Sequence, residues 1–282
     1  MIKIVADTLS CITVDEARLL DIPLLPQIII FGEESYRDDT EIDTTTFLDK
    51  LKKSKELPKT AAPAPALYQP VFDKIISQGD TPMVICPTAD LSGTFRSASV
   101  AAKDYPTVDI RIVDTRTLGA GLGMIVRQAI LWAKEGLSAD EVEQRVLEMS
   151  SREKLYFMVA TLEYLQKGGR LGSAQAIVGS VLQVKPILQK RNGIIENCGS
   201  QRTRKRALAY LSELVETECP FEPSAHLSVM HGDVPEEAAL MADDLSKMTG
   251  IQQIPLYNLP AAILVHGGPG AFGVSFFTNG NN

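Results

Sequence analysis

Four short polar segments carry the chemistry this sequence can offer, and all four suit an anion better than a metal. The first centres on His266, which closes the apolar run Ala261-Ala262-Ile263-Leu264-Val265 and opens the turn Gly267-Gly268-Pro269-Gly270. A strand ending in an imidazole and then in turn-formers would set that ring beside exposed backbone N–H groups. The second is Lys167-Gly168-Gly169-Arg170, after Leu162-Glu163-Tyr164-Leu165. It reads either as a glycine C-cap with a cation favoured by the helix dipole, or as an arginine swung off a glycine turn to grip an anion with two donors. The third, Asp90-Leu91-Ser92-Gly93-Thr94, precedes Phe95-Arg96-Ser97-Ala98. Ser92 reads there as a helix N-cap, a role compatible with ligand binding because a helix N-terminus also attracts anions. The fourth is the loop Pro58-Lys59-Thr60-Ala61-Ala62-Pro63-Ala64-Pro65, a stiff connector with a hydroxyl donor at Thr60.

Other patterns compete with these and lose. Gly268-Pro269-Gly270-Ala271-Phe272-Gly273 matches G-x-G-x-x-G by letter. A dinucleotide fingerprint must open a helix, and the segment that follows reads as a strand. The P-loop pattern G-x-x-x-x-G-K-[ST] does not occur. Ser92 lacks the G-x-S-x-G surroundings of a hydrolase nucleophile. His226 and His231, five apart on a predicted strand, have poor metal geometry and are assigned to structure or surface. Asp38, Asp39, Glu41 and Asp43 read as a solvated acidic turn. Lys190-Arg191 with Arg202, Arg204, Lys205 and Arg206 form a basic cluster: a solvated helix end, or a docking surface for an acidic partner or anionic headgroups.

The elements that must position these segments alternate. Apolar, β-rich runs fall at Ile2–Ala6, Leu24–Phe31, Met83–Cys86 and Ile110–Val113. Helical patterns intervene at Thr46–Lys53, Ala66–Ser77, Phe95–Lys103, Met124–Glu135 and Ala139–Met149. Strands alternating with helices predict a doubly wound parallel sheet, with Asp7, the Pro87–Thr94 loop and Asp114 on its carboxyl edge. Beyond residue 151 the pattern changes. Asn192-Gly193 between Ile187–Gln189 and Ile194–Asn197 is a hairpin signal. Further predicted helices fall at Thr161–Gln166, Ser173–Leu182, Arg204–Glu216 and Glu236–Lys247, and strands at Leu155–Ala160, Leu227–Met230, Ile254–Tyr257, Ala262–Val265 and Val274–Phe277. The expectation is therefore two α/β domains, an N-terminal parallel one over 1–160 and a C-terminal α+β one over 161–282.

The 282 residues, 45% hydrophobic and 22% charged, can fill such cores. A net charge of −7 argues against general nucleic-acid binding and leaves room for one local basic pocket. No signal-peptide pattern opens the sequence, and no apolar run approaches a membrane span. Cys11, Cys86, Cys198 and Cys219 are scattered and read as reduced thiols. The expected compartment is the cytoplasm.

Taken in order, these segments resemble the DegV family of bacterial fatty-acid-binding proteins. The resemblance runs through Asp7-Thr8, Pro23-Leu24-Leu25-Pro26, Tyr36-Arg37-Asp38, Lys59-Thr60-x-x-Pro63, Leu91-Ser92-Gly93-Thr94 and Val113-Asp114-Thr115. It continues through Tyr164-Leu165-Gln166-Lys167-Gly168-Gly169-Arg170, Leu182-x-x-Lys185-Pro186-Ile187-Leu188, Arg202-x-Arg204-Lys205-Arg206-Ala207 and His266-Gly267-Gly268-Pro269-Gly270. It implies two α/β domains with a ligand tunnel between them and one bound long-chain fatty acid. It also implies a lipid-carrying subunit, without a nucleotide site or cofactor of its own. A separate ATP-binding fatty acid kinase subunit would convert the carboxylate to an acyl phosphate for phospholipid metabolism. Carried over by motif, Thr60, Ser92 and Gly93 would hydrogen-bond the carboxylate, with Arg170, His266 and Gly267 beside it. The chain departs from the family at Ala61, where a second hydroxyl is common, and keeps threonines at Thr8 and Thr115 in place of serines. The alternatives are a serine-type acyl-ester hydrolase using Ser92 and His266, a kinase acting alone, and a lipid-sensing regulator that docks on an anionic membrane through Arg202–Arg206.

Overall fold

The computed structural model describes residues 1–172, 174 and 184–280. Its elements begin with β1 (Ile2–Asp7), α1 (Val14–Leu20), β2 (Leu24–Leu25), β3 (Ile28–Phe31), β4 (Glu34–Arg37), α2 (Thr44–Lys53) and β5 (Lys59–Ala61). Next come α3 (Pro65–Ser77), β6 (Thr81–Cys86), α4 (Thr94–Ala102), β7 (Arg111–Asp114), α5 (Gly119–Lys134) and α6 (Ala139–Ser151). They continue with β8 (Glu153–Met158), α7 (Glu163–Lys167), β9 (Lys185–Arg191), β10 (Ile194–Gln201), α8 (Arg204–Glu218) and β11 (Ser228–His231). The last are α9 (Pro235–Thr249), β12 (Leu256–Asn258), α10 (Ala261–Gly267) and β13 (Phe272–Phe277). Two compact units result: Met1–Asp43 with Pro58–Ser151, and Thr44–Leu57 with the chain from Arg152 onward.

In the first unit, β2, β1, β6 and β7 form a wholly parallel sheet in that order. Parallel strands bury both faces. Val5, Val84 and Cys86 pack with Tyr68, Phe72 and Ile75 of α3 and Ala98 and Ala101 of α4, and α5 packs along β1. The apolar run Leu24–Phe31, expected as one strand, is two. Pro26 supplies no ladder donor, so β2 ends on β1 and β3 starts a separate antiparallel sheet, ordered β4-β3-β5. The loop around Thr60 is likewise a strand: β5 pairs with β3 and sets Thr60 opposite Ile29.

The second unit holds a mixed six-stranded sheet, ordered β10-β9-β8-β13-β11-β12. The β9–β10 hairpin turns at Asn192 and Gly193 with φ of 50° and 84°, the left-handed pair that a type I′ turn requires. Helix α8 buries Ala207, Leu211 and Val215, spaced one helical turn apart, against this sheet. Its N-cap is Thr203, whose hydroxyl accepts the Arg206 N–H at 3.2 Å. Thr203→Ala is expected to lower stability by about 1 kcal/mol, measured by urea unfolding, while Thr203→Ser retains it.

The predicted strand Ala262–Val265, part of the apolar run Ala261–Val265, is instead the helix α10. Five consecutive apolar residues carry no period to separate the two states, and the start at Pro260 followed by two alanines favours the helix. The predicted helix Ser173–Leu182 lies outside the described residues. Among the described residues no helix is long and apolar enough to cross a membrane.

Candidate functional site

Because β1, β6 and β7 are parallel, Asp7, the loop after Cys86 and Asp114 share one sheet edge. The chain moves from β1 outward to β2, then returns to β1's other side as β6 and continues to β7. Such a reversal opens a crevice at the carboxyl ends of the strands, here at Asp7 and the Pro87–Thr94 loop.

That edge is lined with hydroxyls. Ser92 stands just before α4; the cap position itself is Gly93, one residue later than the sequence suggests. Ser92 Oγ accepts the Thr94 N–H at 3.3 Å and lies 3.0 Å from Thr94 Oγ1. Gly93 is exposed, and a Cβ on it would stand 3.3 Å from the Ala62 Cβ. The Ser97 hydroxyl donates to the Pro63 carbonyl. The strand carrying Thr60 therefore lies against the start of α4, and Thr60, Ser92 and Gly93 form one neighbourhood.

Behind Ser92 the chain continues inward. Thr94 Oγ1 is 2.7 Å from Asp7 Oδ2, and the Gln27 amide donates to Asp7 Oδ2 at 2.7 Å and to Thr94 Oγ1 at 3.1 Å. The Thr8 hydroxyl donates to Asp38 at 2.8 Å and accepts the Gln27 backbone N–H at 3.1 Å. Burial pushes the Asp7 carboxyl up to about 7, against the bonds from Thr94, Leu9 and Gln27. Asp38 rises to about 7 for the same reason, opposed by the Thr8 hydroxyl and raised further by the charge of Asp7. Asp38 therefore belongs to this network and is only partly solvated. Sequence reasoning missed Gln27 and Thr94 as site residues. Gln27 follows a proline break and carries no motif, and Thr94 reads only as the end of the Leu91-Ser92-Gly93-Thr94 segment, without a role of its own.

The second unit brings Arg170 and His266 together. Helices α7 and α10 pack so that each motif fills the other's glycine. A Cβ on Gly168 would come within 2.3 Å of His266 Nδ1, and one on Gly268 within 2.5 Å of the Tyr164 ring. Arg170 follows Gly169 at φ 69° and donates from Nη1 to the Gly168 carbonyl at 2.6 Å, one of its five donors. Burial, and then the Arg170 charge, push the His266 imidazole down to about 4. His266 is therefore neutral near neutral pH.

The backbone around His266 differs from the expectation of exposed donors. His266 sits in the last turn of α10, where carbonyls are left over and N–H groups are not. The Gly268 N–H donates to Leu264 O and the Gly270 N–H to Gly232 O, both at 2.8 Å. Gly267 is the buried last residue of α10. The basic cluster also divides. Lys190 pairs with Glu153 at 2.7 Å and is not solvated. Arg204 is held by Glu237 at 2.7 Å and by the Gly270 carbonyl at 3.0 Å. Arg202, Lys205 and Arg206 are exposed at the start of α8. His231 is buried on β11, and among the described residues no group of three or more metal-binding side chains occurs.

A parallel-sheet crevice lined by hydroxyls, and an arginine beside a neutral histidine, mark the polar sites of an α/β protein in which no cluster of metal-binding side chains occurs among the described residues. The model of the family described as "Uncharacterised protein, DegV family" matches residues 1–279. Protein DegV of Bacillus subtilis (strain 168) is 32% identical over 276 residues, covering 97% of this chain and 98% of its own. A DegV domain-containing protein of Streptomyces coelicolor is 32% identical over 275 residues, covering 97% of each. The crystal structure of DegV, a fatty acid binding protein from Bacillus subtilis, superposes with a TM-score of 0.88 at 31% identity, covering 99% of both chains. A fatty-acid-binding DegV family protein from Thermus thermophilus gives 0.88 at 27% identity, covering 98% of this chain and 99% of that one. The chain belongs to the DegV family.

Proposed function

We propose that this chain binds one long-chain fatty acid and presents its carboxylate to a separate ATP-binding kinase subunit, which phosphorylates it. The observation that carries the reading is the full-length likeness to solved DegV structures that bind fatty acid. The chain's own residues agree with it. A tail of about 16 carbons contributes about 0.8 kcal/mol per buried methylene, on the order of 10 kcal/mol before ordering costs. The tail therefore dominates affinity, and the head group has only to avoid an uncompensated buried charge. Thr60 and Ser92 supply hydroxyl donors for it, and Gly93 a backbone N–H at the start of α4. Arg170 supplies positive charge, and His266, neutral beside it, can accept or donate a hydrogen bond without adding a second cation. Gly267 ends the helix that presents that ring.

A partner of acidic character suits Arg202, Lys205 and Arg206. Cations in the first turn of a helix oppose its dipole, and α8 carries no acidic residue there. The placement of Lys205 and Arg206 in that turn costs helix stability, which favours a role at the surface for them and for Arg202 just before the cap.

Protein purified natively and extracted with solvent is expected to yield long-chain acid in equimolar amount by mass spectrometry. ATP and a catalytic subunit should then convert that acid to acyl phosphate, and ATP alone should not. Lipid-free protein in repeated preparations, with no uptake of added oleate, rules the reading out.

A further inference from the structure

Asp7 ends β1 with 1% of its surface exposed. Its Oδ1 accepts the Leu9 N–H at 3.1 Å, and its Oδ2 meets both the Gln27 amide and the Thr94 hydroxyl at 2.7 Å. Resting on the fatty-acid reading above, we propose that Asp7 is a positioning residue for the head group: acting through Thr94, it sets the direction in which the Ser92 hydroxyl donates, and it takes up a proton when a carboxylate binds at Ser92.

The argument is a count of protons. With Asp7 ionised, the Thr94 proton is committed to Asp7 Oδ2, since a carboxylate only accepts. The single Ser92 proton must then choose between Thr94 Oγ1, 3.0 Å away, and the incoming ligand. Given to the ligand, it leaves two oxygens facing each other with no proton between them. With Asp7 protonated, the direction reverses. Asp7 donates to Thr94, Thr94 donates to Ser92 Oγ, and the Ser92 proton is released for the ligand carboxylate. Gln27 accommodates both states, because its amide donates to Asp7 and Thr94 in either case. Every contact in the second arrangement is filled, and like charge near the ligand falls by one. Such chains reinforce one another in a low-dielectric interior.

The groups facing Asp7 do not supply the effect themselves. Tyr68 on α3 and Cys86 on β6 are both pushed up by burial and by the charge of Asp7, so they stay neutral. Arg127 on α5 is tied to Glu16 at 2.7 Å. Asp114, which pairs with Cys86 across β6 and β7, accepts the Ala89 and Arg116 N–H groups. Asp38 is the other titrating neighbour, linked through Thr8. The ligand carboxyl is ionised well below neutrality, and the His266 imidazole, pushed down to about 4, is already neutral there. Because the Asp7 carboxyl is held near 7 in the free protein and binding raises it further, affinity must fall as pH climbs through that region.

The test is oleate binding from about pH 6 to about pH 9, with calorimetry in two buffers of different ionisation enthalpy to count protons. Wild-type protein is expected to take up a proton above pH 7 and to lose affinity by up to roughly tenfold per pH unit. Asp7→Asn should bind with a flat profile and no uptake. Asp38→Asn should keep the slope with its midpoint at lower pH, because a neighbouring charge is gone. Thr94→Val should weaken binding at pH 6, and Thr94→Ser should restore it. An identical profile and proton count in wild type and Asp7→Asn overturns the inference. If Asp7→Asn does not fold, wild-type binding without proton uptake overturns it equally. Oleate bound without proton linkage removes only this inference, whereas no binding at any pH removes the fatty-acid reading beneath it.

Discussion

Replacing Lys190 with methionine is expected to destabilise the protein by about 3–5 kcal/mol, the cost of leaving one partner of a buried ion pair alone. Lys190 on β9 meets Glu153 on β8 at 2.7 Å, with side-chain exposures of 6% and 0%. Glu153 Oε1 accepts the Ser275 hydroxyl from β13 at 2.9 Å. The carboxylate thus joins three adjacent strands of the six-stranded sheet. The pair itself contributes little net stability, because desolvation offsets its attraction. Glu153→Gln combined with Lys190→Met should therefore recover most of the loss, the amide still accepting from Ser275. Urea unfolding of the two single variants and the double variant gives the comparison. Equal destabilisation in Lys190→Met and the double variant would show that the buried charge is not the cause.

This pair also shows what was legible in the sequence. Lys190 reads as half of a basic dipeptide, and only the register of β8 on β9 reveals its acidic partner. Local signals fared well where they were sufficient on their own. Asn192-Gly193 predicted its hairpin, and the alternation of strands and helices predicted the parallel sheet and its carboxyl edge. Elements fixed by tertiary pairing were not legible. Lys59-Thr60-Ala61 has no strand pattern, and it is extended because β3 offers an open edge. The His266 segment has apolar residues at every position, so its period is silent and its helix follows from packing on α7. The motif residues were visible as polar islands. Asp7 and Thr94 stood among them, but their link through Gln27 was not legible, since the three come from separate places in the chain.

Gly168→Ala is expected to have a large functional effect, although the dihedrals of the position suit alanine. Gly168 has φ −75° and ψ −9°, ordinary right-handed values that alanine adopts freely. The added methyl nevertheless would stand 2.3 Å from His266 Nδ1 and 2.9 Å from the Tyr164 carbonyl. The ring must leave its place, and the change acts through His266. Two readouts follow. Released from burial, the imidazole should titrate closer to its ordinary 6.5 than to about 4, followed by NMR of the ring proton and assigned against His266→Ala. Protonation of the displaced ring then rises as pH falls through 6.5, where the wild-type ring is still neutral. Acyl phosphate formation with a catalytic subunit should fall by roughly a hundredfold, since misplacement by about 1 Å costs that much at a reacting centre. Lipid retention should change far less, because the tail supplies most of the affinity, and Arg170→Ala and His266→Ala should divide the same way. Gly169→Ala is the control. Its φ of 69° makes alanine strained there, yet nothing lies within 4 Å of the added carbon. It should lower stability by about 1 kcal/mol and leave the His266 titration where it was. A Gly168→Ala protein whose His266 still titrates near 4, with full acyl phosphate formation, would separate this histidine from the head-group chemistry.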